Sequence, residues 1–322
     1  MKQTLGILGV AALLLAGPQA RAQTYPERPI RIIVPFPAGG VLDTMTRAIG
    51  EQARGTLGQP VIVENRAGAA GSIGLQACSN AEPDGYTFCA VTAEAMSVTP
   101  HLEPQMWVKY RSLIPVSQLV TASGVIYANP ALKANTLAEA LAVAKANPSQ
   151  LNYSSWGLGT SPNLLFEWLK KTANVEITHV PYKGSMDALN DVVAGRAQLS
   201  YVALGFVLPQ IEAGTLKPLA VIGDKRSPRL PNVPSLKELG YNFPYKNAWF
   251  ALMAPPGTPL AIREKVAVAV KVAVNAPTLR VKFLDPQDLN PVGSTPQELE
   301  RVLKAEYEHG AEIIRVTGIR KE

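Results

Sequence analysis

Apolar and polar positions along this chain switch repeatedly between two periods. Arg31-Ile-Ile-Val34 is a short apolar run of the kind a buried strand makes. Val41, Met45, Ala48, Ile49 and Ala53 then recur at i, i+4, i+7 and i+8, the spacing of one helical face. Between them lies Pro35-Phe-Pro-Ala-Gly-Gly40, a turn by its proline and glycine content. The succession returns at once. Pro60-Val-Ile-Val-Glu64 reads as a strand, Asn65-Arg-Ala-Gly-Ala-Ala-Gly-Ser-Ile-Gly74 as a glycine-rich loop entering a helix, and 86–91 as a third strand with 92–99 at its edge.

Residues 113–119 and 124–128 read as strands with a crossing between them. Beyond it, Thr136 and Glu139 have capping-box spacing and open an alanine-rich helix that Pro148 stops. A strand at 151–155 leads into Trp156-Gly-Leu-Gly-Thr-Ser-Pro-Asn163, where Ser161 is the expected N-cap and Pro162 the first helical residue. A strand at 177–182 precedes a helix with Ser185 at its cap and Gly195 beyond its end. Strands follow at 199–203 and 217–223. Residues 248–254 read as a return crossing, Thr258 and Pro259 start a helix running through Val274, and a second capping box, Thr295 with Glu298, opens the last long helix.

Strands alternating with helices predict an α/β protein built on parallel sheets with helices on both faces. Two crossings, near 120–124 and 248–250, predict two lobes around a cleft that can close: 23–123 with 250–322, and 124–249. Consecutive strand-to-helix loops of a parallel sheet leave on one edge, so the glycine-rich loops face a common ligand. At the first of them Gly39 and Gly40 leave the backbone accessible, and the helix behind presents unpaired N–H groups and a positive dipole end. That makes a site for an anion. The loop reads equally as an ordinary α/β connector, and Asp43 either as a ligand contact or as a first-turn acid favouring the helix dipole. Neither G-x-x-x-x-G-K-[ST] nor G-x-G-x-x-G is matched there.

Composition narrows the picture. Lys2, the apolar stretch 5–16 and Ala20-Arg21-Ala22 have the layout of a secretory signal peptide cleaved after Ala22, which predicts an exported protein. The net charge is +6, but basic residues are scattered, which argues against nucleic acid and suits small anions. Cys78 and Cys89 are the only cysteines, and in an oxidising compartment they are expected to pair across the turn at Glu82-Pro-Asp-Gly85; two separate buried thiols are the alternative. His101, His179 and His309 are the only histidines and have no metal-ligand spacing, so neither metal nor cofactor is expected. Ser154 and Ser155 precede the Trp156 loop without a G-x-S-x-G elbow or a recognisable Asp/His pair, leaving a hydrolase-like enzyme on a doubly wound fold as the second reading.

Pro35-Phe-Pro-Ala-Gly-Gly40 with Asp43, Gly58-Gln-Pro-Val-Ile-Val-Glu-Asn-Arg66 with Gly68 and Gly71-Ser-Ile-Gly74, Pro83-Asp-Gly-Tyr-Thr87, Val180-Pro-Tyr-Lys-Gly-Ser185 and Ile211-Glu-Ala-Gly-Thr-Leu-Lys217 occur in one order. Together they resemble the Bug-type periplasmic receptors, the extracytoplasmic solute receptors of tripartite tricarboxylate transport. The resemblance implies a two-lobed class II periplasmic-binding-protein fold, the Venus flytrap, and a monomer that hands a small carboxylate to membrane subunits or to a sensor. It implies a ligand held, partly through water, by Phe36, Pro37, Ala38, Gly39, Gly40 and Asp43 on one side and by Ser155, Trp156, Gly157, Gly159, Thr160 and Asn163 on the other. Ala69, Ala70 and Thr92 complete the first lobe, and Tyr201 and Val202 the second.

Two departures from the family pattern stand out. Asn163 replaces a histidine common in the second-lobe loop, and Val202 replaces the acid that relatives binding amino acids carry. An ammonium buried without an anionic partner is costly, so the expected ligand lacks one and is a dicarboxylate or an aromatic acid. Trp156, Tyr201 and Phe206 are candidates to flank its body, Tyr201 and Phe206 being equally readable as core.

Overall fold

The computed structural model describes residues 25–148, 150–244 and 248–320; the signal segment lies outside them. Strands β1 (Ile30–Val34), β2 (Val61–Asn65), β3 (Thr87–Thr92), β4 (Ile114–Ala122), β10 (Ala248–Ala254) and β11 (Leu289–Pro291) make a six-stranded sheet. Strands β5 (Gly124–Ala128), β6 (Asn152–Ser155), β7 (Thr178–Pro181), β8 (Leu199–Ala203) and β9 (Lys217–Val221) make a five-stranded one. The helices are α1 (Val41–Leu57), α2 (Ser72–Ser79), α3 (Ala93–Ser97), α4 (Thr99–Leu102), α5 (Pro104–Trp107) and α6 (Leu137–Ala146). They continue as α7 (Ser161–Ala173), α8 (Ser185–Val193), α9 (Leu204–Glu212), α10 (Leu260–Asn275), α11 (Pro277–Leu279) and α12 (Pro296–Thr317).

The strand order is β11-β4-β10-β3-β1-β2 in one sheet and β7-β6-β8-β5-β9 in the other. Wholly parallel sheets, as the alternation predicts, are not what forms. β1 runs parallel to β2 and β3, and β6 to β7 and β8, but β10 is antiparallel to β3 and β4, and β5 to β8 and β9. β10 and β5 are the strands that bring the chain from the other sheet; β11, a short edge strand, is antiparallel to β4 as well. A crossing that enters at the far edge has to run back against its neighbours. Both sheets therefore share one plan, an inserted antiparallel strand beside a parallel triplet, and the fold is a two-lobed α/β protein.

Alternation within β1 assigns its two faces. Ile30, Ile32 and Val34 pack with Leu42, Met45, Ile49 and Ala53 of α1 and Val266, Val270 and Val274 of α10. Ile33 points the other way, to the core holding Leu75 of α2 and Leu299 and Ile313 of α12. Cys78 of α2 and Cys89 of β3 are joined as a disulfide, their Cα atoms 5.9 Å apart. The crossing at Ser123 is one residue long: the Leu204 N–H bonds the Ser123 carbonyl at 2.9 Å, and the Ile222 N–H bonds Gly124 at 2.8 Å.

Helix starts fall close to expectation. The Thr295–Glu298 box forms in both directions. In the Thr136 box, Thr136 accepts from the Glu139 N–H, but the Glu139 carboxylate reaches the Asn135 N–H. The caps assigned to Ser161 and Ser185 move back one residue, to Thr160 and Gly184, because the preceding residues already leave the helix while Ser161 and Ser185 have begun it.

Candidate ligand-binding site

Strand-to-helix turns from both sheets converge on a cavity of about 110 Å³ between them. From the six-stranded sheet, the β1–α1 turn contributes Phe36, Pro37, Ala38 and Gly40, and α1 adds Val41 and Leu42. From the five-stranded sheet come Trp156 and Ser161 around the start of α7, Gly184, Ser185, Met186 and Asp187 at the start of α8, and Tyr201, Val202 and Ala203 leading into α9. Thr92 and Glu94 after β3, with Ala248 and Phe250 of β10, close the wall.

Bare backbone at the mouth lets the two sides meet. A side chain at Gly40 would come within 2.9 Å of the Ser185 hydroxyl, and one at Gly184 within 3.0 Å of Pro37. Helices α1, α7 and α8, of 17, 13 and 9 residues, all point their N-terminal ends here. Val41 and Leu42 are the first two residues of α1, and Ser185 and Met186 the first two of α8, positions whose N–H groups have no intrahelical acceptor. Among the described residues, no lysine, arginine or histidine lines the cavity. The helix ends give it positive potential.

The charged groups that line it among the described residues, Glu94 and Asp187, are acids. Glu94 is 5% exposed, and its Oε1 accepts from the Ser161 hydroxyl at 3.0 Å and, at a longer 3.4 Å, from the Ser161 N–H at the start of α7. Tyr201 is buried across the hinge, where a side chain at Gly124 would overlap its ring at 2.1 Å. Burial pushes the Tyr201 phenol up and the charge of Glu94 adds to the rise, so its hydroxyl stays neutral. The Thr92 hydroxyl is buried and has no hydrogen-bond partner.

Of the residues singled out from sequence, Phe36, Pro37, Ala38, Gly40, Thr92, Trp156, Tyr201 and Val202 come together on this cavity; Gly39, Asp43, Ala69, Ala70, Ser155, Gly157, Gly159, Thr160 and Asn163 do not. The reasons are local. Asp43 is turned inward, accepting from the Gly39 N–H at 2.9 Å, Arg47 Nε at 3.0 Å and Asn65 Nδ2 at 2.9 Å. Burial raises its pKa, but these three donors outweigh burial and hold the carboxyl below its usual value.

In the second lobe, Asn163 accepts from the Gly159 N–H at 2.9 Å and donates to the Tyr153 hydroxyl at 2.8 Å, while Thr160 Oγ1 donates to the Gly157 carbonyl at 2.6 Å. These side chains shape the loop rather than face the cavity. Ala70 lies against Gly157, where an added side chain would stand 3.2 Å from its Cβ, so the two meet each other across the lobes. Phe206 packs against the core beneath α9 and does not line the cavity either.

Ser155 Oγ is 2.6 Å from His179 Nε2, a pair that sequence spacing concealed. Burial pushes the His179 imidazole down, so it is held neutral, with Tyr153 stacked on it at 4.9 Å. Ser155 has no exposed surface, and its hydroxyl also accepts from the Gly157 N–H at 3.0 Å. Among the described residues no group of three or more His, Cys, Asp or Glu is placed to hold a metal ion.

Sequence reading placed the stretches 92–97 and 155–163 at the site without singling out Glu94 or Ser161, and missed the Gly184–Asp187 turn. The last carried a usable signal: β7 runs parallel to β6, so its loop has to leave beside the Trp156 loop. Ala248 and Phe250 carried none, since an apolar residue in a crossing strand does not say which face it presents.

A two-lobed fold with a cavity between its sheets and helix ends turned into it is that of a solute-binding protein. Residues 45–319 match the sequence model of the Tripartite tricarboxylate transporter family receptor, and the chain belongs to that family. It is 35% identical over 322 residues to Protein BugT of Bordetella pertussis, covering 99% of this chain and 98% of that one. The solved periplasmic binding protein BugD superposes with a TM-score of 0.87 at 29% identity over 92% of this chain and all of its own. An R. palustris protein solved with adipate has the same TM-score at 30% identity, covering 92% of this chain and 99% of that one. The family and the fold are those of binding proteins for transport.

Proposed function

We propose that this chain is exported, loses its signal after Ala22, and captures a small carboxylate in the periplasm for membrane transport subunits or a sensor, as a monomer and without chemical change. The lobes would divide at Ser123 and just before β10. The observation that carries the reading is the convergence of helix N-termini from both sheets on one cavity. That arrangement suits a carboxylate received by backbone N–H groups, with bridging waters as good partners as direct contacts. Phe36, Pro37, Ala38, Gly40, Val41, Thr92, Trp156, Ser185, Tyr201 and Val202 are the proposed contacts, and the rings of Phe36, Trp156, Tyr201 and Phe250 would hold an apolar body. The neighbour solved with adipate supports an acid as the ligand.

A thermal-shift screen of the mature protein against mono- and dicarboxylates, aliphatic and aromatic, tests this. An acid at 100 times its dissociation constant should stabilise by about 2.7 kcal/mol, raise the midpoint and alter Trp156 fluorescence, and Trp156→Ala should weaken it. The bound acid should be recovered unchanged after long incubation. No shift with any acid at millimolar concentration would end the reading.

A further inference from the structure

One side chain on the cavity wall faces both inward and outward. Met186, the second residue of α8, lines the cavity and is also 36% exposed to solvent. Its terminal methyl lies over the β1–α1 turn of the other lobe, where a side chain built at Gly39 would stand 3.9 Å from it. Gly40 meets Ser185 and Gly184 meets Pro37 around it, so Met186 sits where the lobes touch. Helical side chains lean toward the helix N-terminus, which turns this one over the unpaired N–H groups that open α8. An unbranched thioether with three rotatable bonds can lift and reseat there without any movement of the helix.

Met45, Met96 and Met253 are buried, and Met106 is packed against the core. Cys78 and Cys89 are already joined, and the described residues hold no free cysteine. Met186 is therefore the sulfur that a small oxidant reaches first. We infer, resting on the carboxylate reading above, that Met186 is a modification site at which a peroxide, by forming the sulfoxide, weakens ligand capture. The sulfur lone pair takes one peroxide oxygen and an S–O bond forms as the O–O bond breaks. Sulfur is oxidised by two electrons, and the other oxygen leaves as water with both peroxide protons. The apolar cap becomes polar. Held out in water, it no longer covers the mouth; turned inward, its oxygen accepts from the helix-end N–H groups that a carboxylate needs.

The test treats the mature protein with hydrogen peroxide, follows each methionine by peptide mass mapping, and titrates the product calorimetrically with benzoate, terephthalate, hexanoate and adipate. Met186 should gain one oxygen before Met45, Met96, Met106 and Met253 do. Once it has, the tightest-binding of these acids should bind about tenfold more weakly, the scale expected for a polar atom placed in an apolar contact. Methionine sulfoxide reductases A and B together should restore the affinity. Met186→Leu has no sulfur to oxidise at this position, so its affinity, whatever its starting value, should be the same before and after peroxide.

Oxidation of another of these methionines ahead of Met186, or an oxidised Met186 with unchanged affinity, overturns the inference while leaving the carboxylate function intact. An equal loss of affinity in peroxide-treated Met186→Leu assigns the loss to another residue and overturns it too. Mapping, titration and repair on the unaltered protein decide the matter even where the variant fails to fold. Binding of none of the acids to the untreated protein defeats the carboxylate reading itself, and the inference falls with it.

Discussion

Asp43 and Glu94 are both buried acids beside the cavity, and their neighbours give them opposite uses. Asp43 spends its oxygens on Gly39, Arg47 and Asn65, so it fixes the β1–α1 turn from behind. Hydrogen bonds to a charged group are worth about 1.5–3 kcal/mol, and Asp43→Asn should destabilise the fold by about that much. The pH dependence has a definite sign. The native carboxyl titrates below its unfolded value of about 3.9, so its contribution is complete above that pH and is lost as pH falls toward the lower native value. Urea midpoints at pH 7 and pH 3 check it: the unaltered protein should lose the increment on acidification, and Asp43→Asn should have little of it to lose. Equal pH dependence in the two would show that Asp43 is not held as the geometry indicates. Glu94, in contrast, faces the cavity and bridges the lobes through Ser161.

At the scale of elements, the turn after each parallel strand is both the connector and the site, because a strand's end and the next helix's start coincide there. The covalent tie lies elsewhere. Cys78 and Cys89 fasten α2 to β3, and neither lines the cavity. Replacing both by serine should cost roughly 3 kcal/mol, the chain-entropy expectation for a short loop, seen as a lower urea midpoint with ligand affinity unchanged. Two alkylatable thiols in the native exported protein would refute the pairing. Helix α12 packs on α3 of one lobe and α7 of the other, so the last element spans both lobes.

For the molecule as a whole, the lobes touch at the mouth through Gly40 with Ser185, Gly184 with Pro37 and Gly157 with Ala70, and are joined by the one-residue crossing at Ser123 and the return before β10. Lobes joined by two crossings and meeting at a glycine-lined mouth fit a swing about the crossings. Small-angle scattering should give a smaller radius of gyration with saturating carboxylate than without. An unchanged radius would count against closure as the means of capture.

Most elements were legible in the sequence, since period-2 and period-3.6 runs, capping boxes and proline–glycine turns are local properties that survive in the fold. The first glycine-rich turn and the disulfide partners could be read from the chain as well, and the receptor family from the resemblance its ordered motifs carry. Tertiary structure alone decided three things. It set β5 and β10 against their neighbours, because strand direction follows from where a crossing enters the sheet. It turned Asp43, Ser155, Thr160 and Asn163 into their own loops, because a polar side chain close to unpaired N–H or carbonyl groups bonds them before any ligand can. And it brought Glu94 to Ser161, 67 residues away in sequence, putting an acid in a pocket where Val202 had suggested none. No local pattern encodes that meeting, which exists only once two lobes are packed face to face.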